Sequence, residues 1–493
     1  MSCHAPEAPT RRRTGLSAVC LSLLCARIAA SDAPPTNEEL LRLIQEQRLL
    51  IEEQGRQIAE QGLEIAELRR RLEPTPAAPG VSEPRPPAAE TAAAGAVAAT
   101  LPHAATDDVD RLPEAEGKKV EVDAFPGSLS VPGTSARIRL GGWVRSVAAD
   151  RFDPMGSDDG FTPSSIAVGP PNEDQDTGST FSAKPTRLNL DLRTPTGVGA
   201  MRAYVEIDFE GTDASVRLRH AYGRWGWLLF GQTWTTFGDP KAEPDSINIE
   251  GFSATTDLRQ PVARVTAPLG KRTSLAFALE TADSAVSGAP GEKRLPDAIL
   301  RFRVDQTENP QGTHTLFPSG GGHFQAALAL RQLAATAPDG STLTTAGYGL
   351  GVTTRLAVPG IGRRDWLLAG VTLGKGMGRY VRDLDQAGGQ DAVFDPVSGS
   401  FEPLPEVSGY AALEHWWATT LRTTLAAGIV RVFNLDSQPA DALHGTDQFS
   451  FNLTWSPIRR VDLVTELQLG RRINKDNQHG RATQLQIGST FRF

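Results

Sequence analysis

The chain has 493 residues, a formal net charge of −8 and a mean hydropathy of −0.27. The acidic balance and the lack of a basic-aromatic motif exclude general nucleic-acid binding. No apolar stretch of the ~20 residues that a transmembrane helix needs follows the N-terminus. A transmembrane β-barrel passes that test unnoticed, because only alternate residues of its strands face lipid.

The chain opens with Arg11-Arg12-Arg13, an apolar run from Leu16 to Ala26, and Ala29-Ala30. These are the three regions of a secretory signal peptide, expected over residues 1–30. Its cysteines, Cys3, Cys20 and Cys25, all lie in this segment. Cleavage near Ala30 leaves a mature chain without cysteine, which excludes a disulfide framework and a thiol enzyme. The alternative is a lipoprotein acylated at Cys20 or Cys25, but the preceding Val19 and Leu24 are bulky for such a signal.

Residues 37–73 carry a heptad repeat. Ile44, Ile51, Ile58, Ile65 and Leu72 recur every seventh position, and Leu40, Gln47, Gln54, Gln61 and Leu68 fill the other seam. The pattern predicts an α-helical coiled coil about 50 Å long. Ile44, Gln47, Ile51, Gln54, Ile58, Gln61 and Ile65 are the expected trimerisation residues; polar seam layers fix register and oligomer state at some cost in stability. The alternative, a single amphipathic surface helix, does not need a 3.5-residue period held over five repeats. Residues 74–134 are rich in proline and alanine and read as a tether.

From residue 135 to 493 the texture changes to period two. Leu188, Leu190 and Leu192 alternate with Arg187, Asn189, Asp191 and Arg193; Met201 to Phe209, Ala298 to Val304, Phe449 to Trp455 and Val461 to Leu469 repeat the pattern. Such alternation gives each strand one apolar and one polar face. A soluble sandwich shows the same pattern with the apolar face inward. Three features favour a membrane barrel of sixteen antiparallel strands. Trp143, Trp225, Trp366, Trp416 and Trp455 sit at strand ends, where an aromatic girdle is expected. The polar face is densely charged. The chain also ends on an alternating strand with Phe493 last, which is read as a signal to the barrel-assembly machinery.

Between residues 186 and 266 the chain carries TRLNLDLRTPTGVGAMRAYVEIDFEG, the blocks Val216–Tyr222 and Gly231–Phe237, and LRQPVARVT. With these blocks the sequence resembles the DcaP-like subfamily of Gram-negative porins, over the coiled coil and the barrel. The resemblance implies a trimeric, sixteen-stranded channel in the outer membrane, passing small negatively charged solutes, with its coiled coil in the periplasm.

By alternation, Arg187, Arg193, Arg202, Arg217, Arg219, Arg264, Arg301 and Arg303 face the lumen, against fewer carboxylates in Asp191, Glu206 and Asp208. Arginine favours anions and holds carboxylates bidentately. The alternative is that these arginines only pair with acidic loop residues inside the barrel. The segment Gly238–Gly251 follows the fifth strand, where general porins fold a loop inward; Asp239, Lys241, Glu243 and Asp245 are the expected constriction residues. Their acids would face the arginines across the opening.

No GxSxG, HExxH or Walker motif occurs, and His220, His323 and His415 lie on different strands without ligand spacing. No catalytic residue, metal or cofactor is expected. The function expected is passive diffusion of small hydrophilic solutes, favouring small organic anions, by a homotrimer in outer-membrane lipid. The competing readings are an outer-membrane hydrolase, for which no triad or dyad is found, and a barrel anchor whose coiled coil tethers the envelope, with peptidoglycan as a partner. At the lipid face Leu467→Arg is expected to be costly, and at the lumen face Gln468→Arg cheap.

Overall fold

A computed structural model describes residue 125 and residues 127–493, apart from 158, 198, 307–320, 359–363 and 389. The signal peptide, coiled coil and nearly all of the tether lie outside the described residues.

Sixteen antiparallel strands close into a barrel. In chain order they are β1 Arg137–Met155, β2 Arg187–Thr196, β3 Gly199–Asp208, β4 Arg217–Trp225, β5 Leu228–Trp234, β6 Arg259–Pro268, β7 Thr273–Glu280 and β8 Asp297–Asp305. They continue as β9 His323–Thr336, β10 Thr342–Ala357, β11 Trp366–Lys375, β12 Pro405–Ala418, β13 Leu421–Val432, β14 Leu443–Ile458, β15 Val461–Asn474 and β16 His479–Arg492. Closure comes from β1 and β16, which pair from Trp143↔Arg492 to Arg151↔Gln484. The other edge of β1 is shared: Arg137–Trp143 pairs with β2, and its outer half pairs with the short strand Asp176–Ser182.

Alternation explains the barrel's two surfaces. Leu188, Val205, Phe230, Phe277, Leu300, Leu328, Leu350, Val371, Ile429, Phe451, Leu467 and Ile487 are all exposed and point outward. An apolar belt running around the whole barrel far exceeds the patches that a water-soluble monomer leaves bare, so the belt faces lipid. Two-residue turns such as 226–227, 419–420 and 459–460 close one end, and loops 156–175, 235–258 and 376–404 crowd the other. In a membrane barrel the short turns are periplasmic and the long loops extracellular.

The aromatic girdle is smaller than the sequence suggested. Trp225 and Trp455 are exposed and outward, joined by Trp227 and Trp417. Trp143 and Trp366 are buried inside, 3% and 7% exposed. Parity is the reason: Trp143 keeps step with the inward Arg139 and Arg145, and Trp366 with the buried Leu368. Trp143 donates its indole N–H to Pro185 O at 3.1 Å.

Candidate functional site: the charged lumen and its inward loops

The first four strands build an arginine-covered wall. Asp191 is held bidentately by Arg193, at 3.2 and 2.9 Å, and by Arg202, at 3.0 Å for both bonds. Arg139 approaches the same carboxylate at 3.6 Å. Asp208 receives Arg217 bidentately and Arg219 at 2.7 Å, and Glu206 receives Arg219 at 2.9 Å with Arg187 at 3.6 Å. The side chains of Asp191, Glu206 and Asp208 are only 0%, 0% and 1% exposed. Those of Arg139, Arg187, Arg193 and Arg217 are 30%, 20%, 28% and 40% exposed. The acids form a lower layer and the guanidiniums cover them, so the face turned to the lumen is positive.

A bulge on β4 strengthens this layer. Glu206 pairs with His220 and Ile207 with Leu218, leaving Arg219 as the extra residue. An extra residue breaks the alternation locally and re-aims a side chain. Arg219 and His220 both stay inside, 5% and 1% exposed. Aromatic faces hold the guanidiniums flat: Arg187 lies 4.5 Å over Trp143, Arg202 4.9 Å over Tyr204 and Arg259 4.9 Å over Trp234. Arg145, Arg187, Arg219 and Arg259 lie near enough to repel one another.

The far wall is built mostly of amides and hydroxyls. Gln448 donates to Gln468 at 2.9 Å and Gln468 to Gln486 at 3.2 Å, an amide ladder across β14, β15 and β16. Ser450, Asn452, Gln468, Gln484 and Gln486 are all fully buried, and loop 235–258 bonds this wall at Gln448 and Asn452.

That loop follows β5 and folds into the barrel. Glu280 of β7 fixes its start, accepting from Thr235 Oγ1 and from the Thr236 amide at 2.6 Å each. Asp239 is clamped by His323 at 2.7 Å, Thr353 at 2.6 Å and Arg303 at 3.2 Å. Asp245 reaches Arg422 of β13 at 2.7 Å, and Glu466 of β15 accepts from Ser246 Oγ and, at 2.7 Å, from the Ile247 amide. β5 and β13 are eight strands apart, opposite one another in a ring of sixteen, so the loop crosses the lumen. Burial alone would raise Asp239, but the His323 and Arg303 beside it hold it well below the usual carboxylate range. Burial and the nearby Asp257 push Glu243 well above that range.

The eight predicted arginines all point inward but divide into two sets. Arg187, Arg193, Arg202, Arg217 and Arg219 gather on β2, β3 and β4. Arg264, Arg301 and Arg303 are buried, 2%, 1% and 3% exposed, and Arg303 holds loop 235–258. Asp239 and Asp245 are anchored on the wall, Asp239 by Arg303, His323 and Thr353 and Asp245 by Arg422; Lys241 and Glu243 are half-buried between them. Phe493 follows β16 and donates its amide to Gly142 O at 3.2 Å. Glu280, Glu466, His323 and Thr353 escaped the sequence reading, since each acts on a loop far away in the chain. Among the described residues no group of His, Cys, Asp and Glu could hold a metal ion.

No curated protein matches the chain by sequence. The crystal structure of the outer membrane channel DcaP of Acinetobacter baumannii shares the fold, at TM-score 0.64 and 23% identity over 74% of this chain and all of that one. More distant barrels include an anion-selective porin from Comamonas acidovorans, at TM-score 0.45 and 12% identity over 73% of this chain and all of that one. Another is Vibrio cholerae OmpT in a trimer form, at TM-score 0.43 and 9% identity over 73% of this chain and all of that one. The family model for the DcaP outer membrane protein matches residues 127–320, which span the arginine-covered wall and loop 235–258. Over these residues the chain is similar to the DcaP outer membrane protein family.

Proposed function

We propose that this protein is an outer-membrane porin through which small hydrophilic solutes diffuse, with a preference for small organic anions. The observation that carries the reading is the layering of the first four strands. Six arginines, Arg139, Arg187, Arg193, Arg202, Arg217 and Arg219, stand over three carboxylates, Asp191, Glu206 and Asp208. The surplus is three positive charges, and the buried layer is the negative one. Wall charges near the solute set selectivity, and charges beyond about 10 Å are screened at 0.1 M salt. The net −8 of the whole chain is therefore no obstacle. Guanidiniums fixed on aromatic faces present bidentate donors to a carboxylate with little entropy left to lose.

Reversal potentials across a planar bilayer in a salt gradient test the preference. Anion selectivity is the expected result, with a carboxylate solute modulating current more than a neutral sugar of equal size. Cation selectivity would overturn it. The working unit is a homotrimer assembled through the 37–73 heptads. Deleting that segment should lower trimer stability or insertion yield while leaving a barrel that conducts. A 37–73 peptide that sediments as a monomer would count against it. The envelope-tether reading rests on the same heptads and predicts that peptidoglycan retains the full chain but not the deletion.

A further inference from the structure

A second loop enters the lumen. Loop 376–404 joins β11 to β12, and its first residues turn into the barrel and stay there: Met377, Tyr380, Val381 and Leu384 are fully buried. Gly376 makes the turn with φ +69°, and a Cβ there would stand 2.5 Å from Leu333. Tyr380 donates to Asp297 of β8 at 2.8 Å, accepts from Gln260 of β6 at 3.1 Å, and meets the loop 235–258 ring of Phe237 edge-on at 5.8 Å. On the other side Asp383 accepts from Thr446 of β14 at 2.6 Å and from the Ser164 amide at 3.3 Å. β6 and β14 are eight strands apart, opposite one another in a sixteen-stranded ring, so this loop also bridges the lumen.

The two loops are joined to each other. Arg382 grips Asp257 bidentately, at 3.0 and 2.6 Å, and donates its amide to Thr255 O at 2.9 Å; Ser253 Oγ donates to Asp383 at 2.6 Å. We propose that loop 376–404 is a second constriction, latched onto loop 235–258 by Arg382, and that the latch sets how far the channel opens. An ion pair that is bidentate, largely buried and backed by a main-chain bond resists solvent competition. Its loss removes the ion pair between the two loops and leaves them joined through the Arg382 amide and the Ser253 hydroxyl. The proposal rests on the channel reading, since it concerns what limits flow.

The test uses the full chain in planar bilayers. Arg382→Gln should raise single-channel conductance, and Arg382→Asp combined with Asp257→Arg should return it to the wild-type value. A third variant adds Ser253→Cys and Asp383→Cys to Arg382→Gln; these are the only cysteines beyond residue 25. Its conductance should be high when reduced and wild-type when the disulfide forms, since the covalent link replaces the broken ion pair. Folded barrel, checked by its resistance to unfolding in unheated detergent, is required of each variant. Wild-type conductance in folded Arg382→Gln, or equal conductance of the third variant in both redox states, would overturn the latch. A wild-type protein that does not conduct would instead sink the channel reading.

Discussion

The two walls of this lumen obey the same alternation and solve different problems. On β1 to β4 the inward positions hold charges, and the acids survive burial because each accepts from two or more arginines. On β14 to β16 most inward positions hold amides and hydroxyls, and the buried Glu466 among them is satisfied by neutral donors of the loop, the Ser246 hydroxyl and the Ile247 amide. Removing one partner of a buried ion pair strands the other, at about 3–5 kcal/mol. A neutral hydrogen bond contributes about 0.5–1.5 kcal/mol. The charged wall is thus a unit in which few residues are replaceable, and the amide wall is a graded support.

The sharpest way to break that comparison is to remove one member from each wall. Arg219→Met leaves Glu206 with the Tyr204 hydroxyl at 2.8 Å and the more distant Arg187, and takes one arginine from Asp208. It should cost about 3–5 kcal/mol in urea unfolding of the folded barrel. Gln468→Leu removes two ladder bonds and should cost about 1–3 kcal/mol. Equal costs would end the distinction. Next comes Leu467→Arg on the lipid face of β15, expected at about 2–4 kcal/mol near the bilayer midplane. Gln468→Arg, one residue along, looked harmless from alternation alone. Gln468 is fully buried and bonded to Gln448 and Gln486, so the larger side chain should cost about 1–3 kcal/mol by overpacking. A smaller effect on stability, but a clear one on selectivity, belongs to Arg217→Gln. Arg217 is the most accessible guanidinium of the wall, and Asp208 keeps Arg219. The reversal potential should move toward cations with the unfolding midpoint nearly unchanged. A selectivity that stays put would show that solutes do not pass this wall.

Much of the scaffold was legible because strand parity is local. The apolar faces of Leu188, Val205, Leu300, Phe451 and Leu467, the sixteen strands, and a loop of the right length after β5 can all be read from neighbouring residues. Trp143 was legible too, since it keeps step with Arg139 and Arg145, but its place near a strand end suggested a girdle. The bulge that turns Arg219 and His220 the same way leaves no mark in the sequence, because a single extra residue shifts parity without changing composition. The inward loops were harder still. Asp383 is tied to Ser164, Ser253 and Thr446, and Asp239 to Arg303, His323 and Thr353. Those partners are set by closure of the whole ring, and nothing near either aspartate in the chain announces them. The one available signal for the second loop was the long interval between the strands ending at Lys375 and starting at Pro405.

The smallest expected effect sharpens the comparison at the place where the loops bridge the two walls. Asp385 sits in loop 376–404, 3.8 Å from Arg382, with its Oδ1 buried. Burial pushes its carboxyl up to about 6; Asp257 and Asp383 add to the shift and Arg382 opposes it. An unfolded aspartate titrates near ~3.9, so the folded loop binds this proton more tightly than the unfolded chain. The charged form therefore costs stability above pH 6, and the cost is relieved as pH falls through 6 toward 4. Asp239 and Asp257 are shifted the opposite way, and their contribution is lost only at more acidic pH. Between pH 7.5 and 5 the loop package should tighten, with slower amide exchange over 376–388 at pH 5 after correction for the intrinsic rate. Glu243, also raised by burial, adds to the same trend, so Asp385→Asn should flatten the response without abolishing it. An Asp385→Asn protein with the full wild-type pH response would assign the effect to the other carboxyls raised by burial, Glu243 and Asp383, and remove Asp385 from the account of how the loops are held.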